Sequence, residues 1–583
     1  MSKSPKHPYL NELAQETQKG NISRRDFFKY ASLLGISLSS ASMLIGLKPD
    51  KAVASVQKET EDWAALREES PFEIKNLLIE RAEKTAQKKS GLEMLNAGRG
   101  NPDFLNTTVR QAFALLMIFA AADAEDTKSS SKPDIGYRVN KKGLAERLRA
   151  FLDDHQKEPG GQFLNEAMKF ALSKVDMHPD EIAFQLVDAV QGDFYPDPPR
   201  IIPATEEVVN KYLDKIVFSG QPPAGKFHLF ATEGATAAMI YIFNSLKINK
   251  VLNPGDKVAI VTPIFSPYLE LPVLNQYNLK TIYVDGDEES GWQIDDSEIS
   301  KLKDPKVKAL YMVNPTNPTS VALNTDTIKR MSETIKKHNP NIIIISDTVY
   351  ASFVNNFDTF GRYLPENTVG VYSFSKYFGV TGWRLGVIMV HENCVIDKII
   401  RSLPQKEQAL LDLRYRLTTS SPEEIKFYDR LEIDSRQVAL AHTGGLSCPQ
   451  QVAMTLLALF ELLDPELAYK KDIMSILKER WSALYTALGI KEPKGNNLTR
   501  YYALIDIKKL AEQKKGKAFA AQMSKGHSLD FLFRLADNQA TVCLPGEGFA
   551  GPKWSLRVAL ANIDAENCKR VGQDILKVLD SYA

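Results

Sequence analysis

The sequence lacks an excess of charge of either sign, because 73 Lys and Arg residues stand against 72 Asp and Glu residues. This balance argues against a nucleic-acid partner, which needs a concentration of basic residues, and favours a small-molecule partner. Cysteine is also scarce. The four cysteines are too few and too widely spaced for a disulfide framework or a CxxC metal site, and we interpret them as packing residues (Cys394, Cys448, Cys543 and Cys568). We therefore predict no metal site.

Two further features are missing, namely internal repeats and low-complexity linkers. The 583 residues are 44% hydrophobic and 25% charged, which is ordinary globular composition and long enough for two or more domains. After the first 60 residues no segment has the sequence of a membrane-spanning helix, and we expect no stable membrane span.

The N-terminus carries the pattern of an export signal. The pair Arg24 and Arg25 precedes a short, serine-containing apolar run at residues 30–46, and the small-residue triplet at residues 52–54 follows. This order resembles a twin-arginine signal and predicts a signal region over residues 1–54, with export to the periplasm. An exposed basic helix or an uncleaved anchor is the alternative, and the protein is cytoplasmic if the signal is not used.

The remainder of the chain divides into three parts that differ in their predicted helices and strands. We interpret residues 55–215 as the N-terminal part of a small domain with a helical insertion, because a helix and a strand come first and the pattern is mostly helical from about residue 135 onward. Residues 216–440 alternate apolar strands with helices, which predicts an α/β domain with a mainly parallel sheet flanked by helices. Residues 441–583 return to helices with a few strands, which suits the C-terminal part of a smaller α+β domain.

Chemically informative residues follow the predicted strands. In a parallel α/β sheet, ligands bind beyond the carboxyl ends of the strands. The segments found there are ATEGATAAMIYIF, TPIFSPY, VNPTNPTS, SDTVY and SFSKYFGVTGWR. The last of these places Lys376 on a loop between two apolar runs. Together the segments resemble the fold type I pyridoxal-phosphate enzymes of the aspartate aminotransferase superfamily, over nearly all of the chain after residue 70.

The resemblance implies a catalytic role for several of these residues. Lys376 would form the Schiff base with the cofactor, which requires a neutral amine, and the nearby Arg384 is expected to lower the pKa of this lysine. Asp347 would pair with the pyridinium nitrogen and keep the ring an electron sink. Asn317 and Tyr350 match positions that hydrogen-bond the phenolic oxygen of the ring.

The resemblance also implies which residues bind the phosphate of the cofactor and which residue stacks on the face of its ring. The phosphate would be held by the backbone N–H groups at the start of a helix (Gly234, Ala235 and Thr236) and by three side chains (Ser373, Ser375 and Arg384). Phe265 matches the aromatic residue that stacks on the ring, although a core phenylalanine fits the same pattern. Tyr137 resembles the tyrosine that reaches the phosphate of a neighbouring subunit, which implies at least a homodimer and leaves larger homo-oligomers open.

The substrate implied by the resemblance is an amino acid. Arg557 falls where the superfamily binds the substrate α-carboxylate with a bidentate arginine, together with Asn317. The turn at Gly100 is expected to close over the substrate. Arg99, with Lys75 behind it, is our candidate for orienting a side-chain carboxylate, and both residues could equally be surface charges.

A finer resemblance addresses the reaction. The segments SPFEIKNLLI, GRGNPDFLNTTVRQAF, FYPDPPRIIPATEEVVNKYL and HTGGLSCPQQVAM resemble the large bifunctional aspartate 4-decarboxylases. That family implies conversion of L-aspartate to L-alanine and carbon dioxide, with a side aminotransferase activity toward a 2-oxo acid such as pyruvate or 2-oxoglutarate. An aspartate or broad-specificity aminotransferase shares every cofactor residue and is the alternative. A non-catalytic binding module is the other class to consider.

Overall fold

The N-terminal part of the described chain is helical. The computed structural model describes residues 71–127, 135–274, 276–436 and 444–582. The signal-like segment 1–54 and the start of the HTGGLSCPQQVAM segment lie outside these ranges. The first elements are α1 (Pro71–Lys88), β1 (Leu95–Asn96), α2 (Thr107–Asp126), α3 (Leu144–Asp154), α4 (Pro159–Lys174), α5 (Pro179–Gln191) and α6 (Pro203–Ile216). The mostly helical character predicted for about residues 135–215 is confirmed by helices α3 to α6.

Local sequence explains where these helices begin. Proline occupies the first turn of α4, α5 and α6, where its fixed φ suits a helix and its missing N–H costs no hydrogen bond. Asn106 caps α2, because its side-chain oxygen accepts a 3.0 Å hydrogen bond from the Val109 N–H. Helix α2 is the one helix of the described ranges with the length and hydropathy of a membrane span. Eight of its residues are buried against the protein, which is typical of a core helix.

The middle of the chain alternates strands with helices, as predicted. Its elements are β2 (Phe227–Thr232), α7 (Ala235–Ile248), β3 (Lys257–Thr262), α8 (Ser266–Glu270), β4 (Lys280–Asp287), β5 (Gln293–Ile294), α9 (Asp296–Ser300), β6 (Val307–Val313), α10 (Thr325–His338), β7 (Ile343–Asp347), α11 (Phe360–Tyr363), β8 (Thr368–Ser373), β9 (Gly386–His391) and α12 (Val395–Arg401). The strands form one sheet in the order β2-β9-β8-β7-β6-β3-β4-β5.

The sheet is mainly parallel, which confirms the predicted fold class, and its exceptions position the functional loop. Strands β8, β7, β6, β3 and β4 are parallel neighbours, whereas β9 runs antiparallel to both β8 and β2. A short connection favours an antiparallel neighbour, because a parallel one needs a long crossover. Residues 374–385 make this short connection at the carboxyl end of β8. This connection therefore places Lys376 and Arg384 at the edge of the sheet where the parallel strands end.

The C-terminal part combines helices with small sheets. Its elements are α13 (Gln405–Tyr415), α14 (Phe427–Asp434), α15 (Cys448–Leu462), α16 (Ala468–Leu488), β10 (Tyr502–Asp506), α17 (Ile507–Lys515), α18 (Lys517–Met523), α19 (Ser528–Gln539), β11 (Thr541–Val542), β12 (Leu544–Pro545), β13 (Ser555–Ala559) and α20 (Ala565–Asp580). Strands β10, β13 and β12 form an antiparallel sheet, and β1 pairs with β11. The N-terminal strand thus joins this part of the protein, while the domain boundaries at residues 215 and 440 stay predictions.

The four cysteines form no disulfide bond, and three of them lie in the protein interior. Cys394, Cys543 and Cys568 are buried and Cys448 is half-buried. Burial raises the pKa of Cys394 and of Cys543 to about 12, which keeps both thiols protonated.

Candidate active site

A cavity of about 230 Å³ lies at the carboxyl ends of the central strands. Its lining includes most of the residues that the sequence predicted for a cofactor and substrate site: Gly100, Ala235, Thr236, Phe265, Asn317, Asp347, Tyr350, Ser373, Ser375, Lys376, Arg384 and Arg557. These residues come from widely separated segments, and the parallel arrangement of the strands brings them to one edge of the sheet.

Lys376 points its amine toward the N-terminal segment. The amine donates a 3.0 Å hydrogen bond to the Gly100 carbonyl. The pKa of Lys376 is lowered, mainly by burial and also by the guanidinium groups of Arg557 and Arg384, while Tyr502 and Asp347 oppose part of this effect. The surroundings therefore favour the neutral, nucleophilic form of the amine, as a Schiff-base lysine requires.

Asp347 ends strand β7 with its carboxylate held in a fixed orientation. It is 3% exposed, and it accepts hydrogen bonds from the Tyr268 hydroxyl at 2.8 Å and from the Val349 N–H at 3.0 Å. Burial raises the pKa of Asp347 to about 6 despite these two donors. No cation of the described ranges forms an ion pair with it. A carboxylate in this state is suited to receive a protonated ring nitrogen.

The Gly234 N–H group, just before helix α7, does not point where the sequence predicted. The Gly234 N–H, which we expected to face the phosphate, donates instead to the Thr232 carbonyl at 2.8 Å. Gly234 matters for its shape, since its φ of +88° is unfavourable for other residues and a Cβ there would lie 2.5 Å from Arg384 Nη2. Ala235 and Thr236 line the cavity at the helix N-terminus, where backbone N–H groups favour an anion.

The predicted phosphate side chains lie next to this helix terminus. The hydroxyls of Ser373 and Ser375 are 2.9 Å apart and buried. Arg384 has a left-handed backbone, with φ of +55°, and its guanidinium donates to the carbonyls of Thr381 at 3.0 Å and Glu233 at 3.2 Å. A non-glycine residue in this conformation is strained, and such strain is commonly found at binding sites.

Arg557, on strand β13, is a buried cation without a carboxylate partner among the described residues. It is 1% exposed. Its guanidinium donates to the Gly98 carbonyl at 2.7 Å and to Asn317 Oδ1 at 3.2 Å. The rings of Tyr502 and Phe549 lie 4.5 and 4.7 Å from it. A buried charge normally requires a counter-ion, so this arginine is suited to bind an anionic ligand.

The charges of the cavity fit pyridoxal phosphate and an acidic substrate. Two arginines (Arg384 and Arg557) and the Lys376 amine share the lining with one carboxylate, Asp347. The N-terminus of helix α7, together with the side chains of Ser373, Ser375 and Arg384, is suited to bind a phosphate. Asp347 is suited to a ring nitrogen, and the Lys376 amine is suited to react with an aldehyde. Arg557 then remains for a carboxylate of the substrate.

Two predicted residues lie away from this lining. Arg99 is exposed. It is close enough to Lys75 to lower the pKa of that lysine. Burial is the largest cause of this lowered pKa, the charge of Arg99 is the second and that of Arg557 the third. Tyr137 is 47% exposed and lines a separate cavity that includes Arg138. The roles proposed for Arg99 and Tyr137 stay predictions.

Sequence reasoning missed three tyrosines at the site. Tyr268 holds Asp347, and the hydroxyl of Tyr501 donates to the Gly100 carbonyl at 2.8 Å. Tyr502 lines the cavity, and its hydroxyl lies 2.9 Å from that of Tyr350. Tyr268 ends the segment TPIFSPY that follows a predicted strand, and Tyr501 and Tyr502 open the predicted strand YYALIDI. Its pairing with the strand of Arg557 is a long-range contact, which a single sequence does not reveal.

Comparison with known proteins places this arrangement in context. The family "Aminotransferase class I and II" matches residues 225–575. A bifunctional aspartate aminotransferase and L-aspartate beta-decarboxylase from a Pseudomonas species is 40% identical over 522 residues, which are 89% of this chain and 98% of that protein. An aspartate aminotransferase from Pyrococcus abyssi is 30% identical over 161 residues, 26% of this chain and 40% of that protein. Among solved structures, a mutant of Thermus thermophilus aspartate aminotransferase aligns with a TM-score of 0.55 at 17% identity. That alignment covers 89% of this chain and 100% of the Thermus chain, and it supports the fold alone.

Proposed function

The chain belongs to the class I and II aminotransferases, and from this premise we propose that it is a pyridoxal-phosphate-dependent L-aspartate 4-decarboxylase with side aspartate aminotransferase activity. The observation that carries the proposal is the 40% identity to the bifunctional Pseudomonas protein over 98% of its length. That match extends well beyond residues 225–575, so it includes segments outside the common aminotransferase region. The products are L-alanine and carbon dioxide.

The cofactor supplies the electronic part of the reaction and the protein supplies the proton transfers. Bound pyridoxal phosphate is an electron sink for the electron pair released when a bond near the substrate α-carbon breaks. Asp347 would hold the ring nitrogen, with Asn317 and Tyr350 at the phenolic oxygen. The Lys376 amine, whose pKa is lowered by burial and by two neighbouring arginines, is the base that would take the proton from the α-carbon and later return one.

Arg557 selects a substrate with an α-carboxylate. Its two terminal nitrogens donate to the Gly98 carbonyl and to Asn317 Oδ1 at 2.7 and 3.2 Å. These two hydrogen bonds use two of the five N–H donors of the guanidinium and leave three for a substrate carboxylate. A charged acceptor forms stronger hydrogen bonds with these donors than a neutral one does.

The substrate β-carboxylate needs a different environment. Tight pairing would stabilise this group in its charged ground state and oppose the loss of neutral carbon dioxide. Arg99 is exposed, so solvent screens its charge. A screened arginine orients the β-carboxylate without holding it strongly, which is why we retain Arg99 as the orienting residue.

The decisive experiment follows both products at once. The purified protein is incubated with pyridoxal phosphate and L-aspartate, and carbon dioxide and alanine are measured with and without pyruvate. The proposal predicts equal amounts of both products over many turnovers without pyruvate. Oxaloacetate formed only when an oxo acid is supplied, with no carbon dioxide, would instead identify an aminotransferase without decarboxylase activity.

We also propose that the protein forms at least a homodimer with shared active sites. The half-exposed Tyr137, away from the cavity of its own chain, is suited to reach the phosphate of a second subunit. Mixing subunits that carry Tyr137→Phe with subunits that carry Lys376→Ala tests this, because a hybrid dimer of that kind contains one intact site. Activity that appears only after mixing supports sharing, and activity that never recovers contradicts it.

We further propose that the protein is exported. Support comes from the Arg24-Arg25 pair, the apolar run after it and the small-residue triplet at residues 52–54. Cell fractionation tests the proposal, with the Arg24→Lys, Arg25→Lys double variant as control. Periplasmic protein that is lost in the double variant is expected, whereas an equal cytoplasmic distribution of both contradicts export.

A further inference from the structure

Tyr502 is the cavity residue whose contacts link the two halves of the site. It lies on strand β10, which pairs with β13 so that Leu504 is opposite Arg557. Tyr502 is therefore the diagonal neighbour of Arg557, on the same face of the sheet. It is 2% exposed and lines the cavity beside Tyr350.

The ring of Tyr502 packs against the guanidinium of Arg557. The guanidinium carbon lies 4.5 Å from the ring centroid, with Phe549 at 4.7 Å as its second aromatic neighbour. Aromatic faces attract a cation and stabilise it most where water is excluded. These two rings thus help to retain a buried arginine that has no carboxylate partner in the described ranges, and they limit its orientations.

The hydroxyl of Tyr502 faces Tyr350. The two phenolic oxygens are 2.9 Å apart, and both side chains are buried. Burial, followed by the proximity of Tyr502, keeps the pKa of Tyr350 well above its ordinary value, so Tyr350 is available as a hydrogen-bond donor. When Tyr502 donates to Tyr350, the proton of Tyr350 is directed elsewhere in the cavity and polarised as a donor.

The backbone of Tyr502 is fixed relative to the Asn317 loop. Its N–H donates to the Ser320 hydroxyl at 2.7 Å, and the Thr499 N–H donates to the Ser320 carbonyl at 2.8 Å. Ser320 has a φ of +64° and lies three residues after Asn317. Rigid attachment of this kind is what a residue needs in order to orient its neighbours.

We propose that Tyr502 is a positioning residue with two separable roles, its ring orienting Arg557 toward the substrate carboxylate and its hydroxyl orienting Tyr350 toward the cofactor. The inference rests on the proposed function for the identity of the cofactor. It extends that function by assigning one side chain to both the substrate and the cofactor halves of the site.

Two variants separate the roles. Tyr502→Phe keeps the ring and removes the hydroxyl, whereas Tyr502→Leu removes both. Tyr212→Phe is the matched control, because Tyr212 is also a buried tyrosine whose hydroxyl lies 2.6 Å from another tyrosine hydroxyl, that of Tyr372, and it does not line the cavity. Each variant is loaded with pyridoxal phosphate and first checked for full cofactor content and thermal stability.

The hydroxyl role is read from the cofactor spectrum without substrate. A donor to the phenolic oxygen stabilises its anionic form and weakens proton binding nearby. Tyr502→Phe is expected to raise the pH midpoint of the visible absorption change by about half a unit, while Tyr212→Phe leaves it in place. The ring role is read from calorimetric binding of succinate, an unreactive dicarboxylate. Its affinity is expected to stay within about twofold in Tyr502→Phe and to fall about tenfold in Tyr502→Leu.

Some results would overturn the inference. An unchanged spectral midpoint in Tyr502→Phe would remove the hydroxyl role, and unchanged succinate affinity in Tyr502→Leu would remove the ring role. A midpoint that shifts equally in Tyr212→Phe would show a general effect of losing a buried hydroxyl. These readouts need no carbon dioxide release, so wild-type protein that binds the cofactor but does not decarboxylate aspartate refutes the proposed reaction and leaves this test intact.

Discussion

Replacing Arg557 by lysine tests whether this buried cation is the group that selects the substrate. Arg557→Lys keeps a positive charge but loses the planar pair of donors that matches a carboxylate. We expect kcat/KM for L-aspartate to fall strongly while cofactor affinity changes little. The reason is that Arg557 contacts the substrate side of the cavity, whereas Arg384 and helix α7 would hold the phosphate.

The magnitude follows from the hydrogen bonds that are exchanged. A bidentate carboxylate gives Arg557 two charge-assisted hydrogen bonds, each worth about 1.5–3 kcal/mol. A lysine ammonium restores about one of the two bonds. The net loss is therefore one bond, or about 2 kcal/mol, which corresponds to roughly a 30-fold decrease in kcat/KM.

Arg430 provides a closely matched control. It is 3% exposed, its guanidinium lies 4.5 Å from the ring centroid of Tyr415, and it donates to Asn249 Oδ1 at 2.9 Å. The contacts resemble those of Arg557, but Arg430 does not line the cavity. Arg430→Lys is expected to lower the melting temperature and to leave succinate affinity unchanged.

Steady-state kinetics with aspartate, succinate calorimetry and cofactor titration together decide the outcome. If Arg557→Lys keeps kcat/KM within about threefold of wild type, the carboxylate-binding role is wrong, because a bidentate site does not tolerate this change. A parallel loss of cofactor affinity and substrate affinity would also refute the reasoning, since it would place Arg557 at the cofactor.

Three further predictions address other parts of the site. Arg99→Ala should weaken aspartate use far more than cofactor binding, and unchanged aspartate kinetics would exclude Arg99 from the site. The pKa of Asp347 is about 6 in the folded protein, whereas its ordinary value is 3.8. Burial of the neutral carboxyl group therefore costs little at low pH, and the cofactor-free fold loses stability as the pH rises from 3.8 to about 6. Chemical denaturation of the cofactor-free protein should therefore show a decrease of roughly 3 kcal/mol between these pH values that Asp347→Asn lacks. Gly234→Ala should displace Arg384 and weaken cofactor binding about tenfold by absorbance titration, whereas Gly255→Ala, which has a similar φ of +92° and open space around it, should not.

The sequence predicted the part of the site that depends on strand ends. Asp347 follows an apolar strand, and Lys376 lies on the short connection between two more, so a parallel sheet necessarily brings them to one edge. The same reasoning was less successful at helix α7. The small residues predicted an anion site there, but the hydrogen bond from the Gly234 N–H to Thr232 depends on the φ of one residue, which composition does not specify.

Contacts between distant segments were beyond sequence reasoning. The carbonyls of Gly98 and Gly100 contact Arg557 and Lys376, over separations of 459 and 276 residues. Tyr502 reaches Arg557 only through the register of β10 and β13, and no local pattern encodes that register. The resemblance to a known family supplied Arg557 and its role, but it supplied no role for Tyr502.

The choice between decarboxylation and transamination must depend on residues outside the cofactor set, because aminotransferases share that set. The pKa of Lys75 is lowered by burial first, and then by the charges of nearby Arg99 and Arg557. Of the two arginines, Arg557 is buried in the cavity lining, whereas Arg99 is exposed and lies away from that lining. The proposed function therefore requires Arg557 to hold the α-carboxylate firmly and Arg99 to orient the β-carboxylate weakly. That difference is what loss of carbon dioxide from the β position requires, because the departing group must give up its charge and its contacts in the same step.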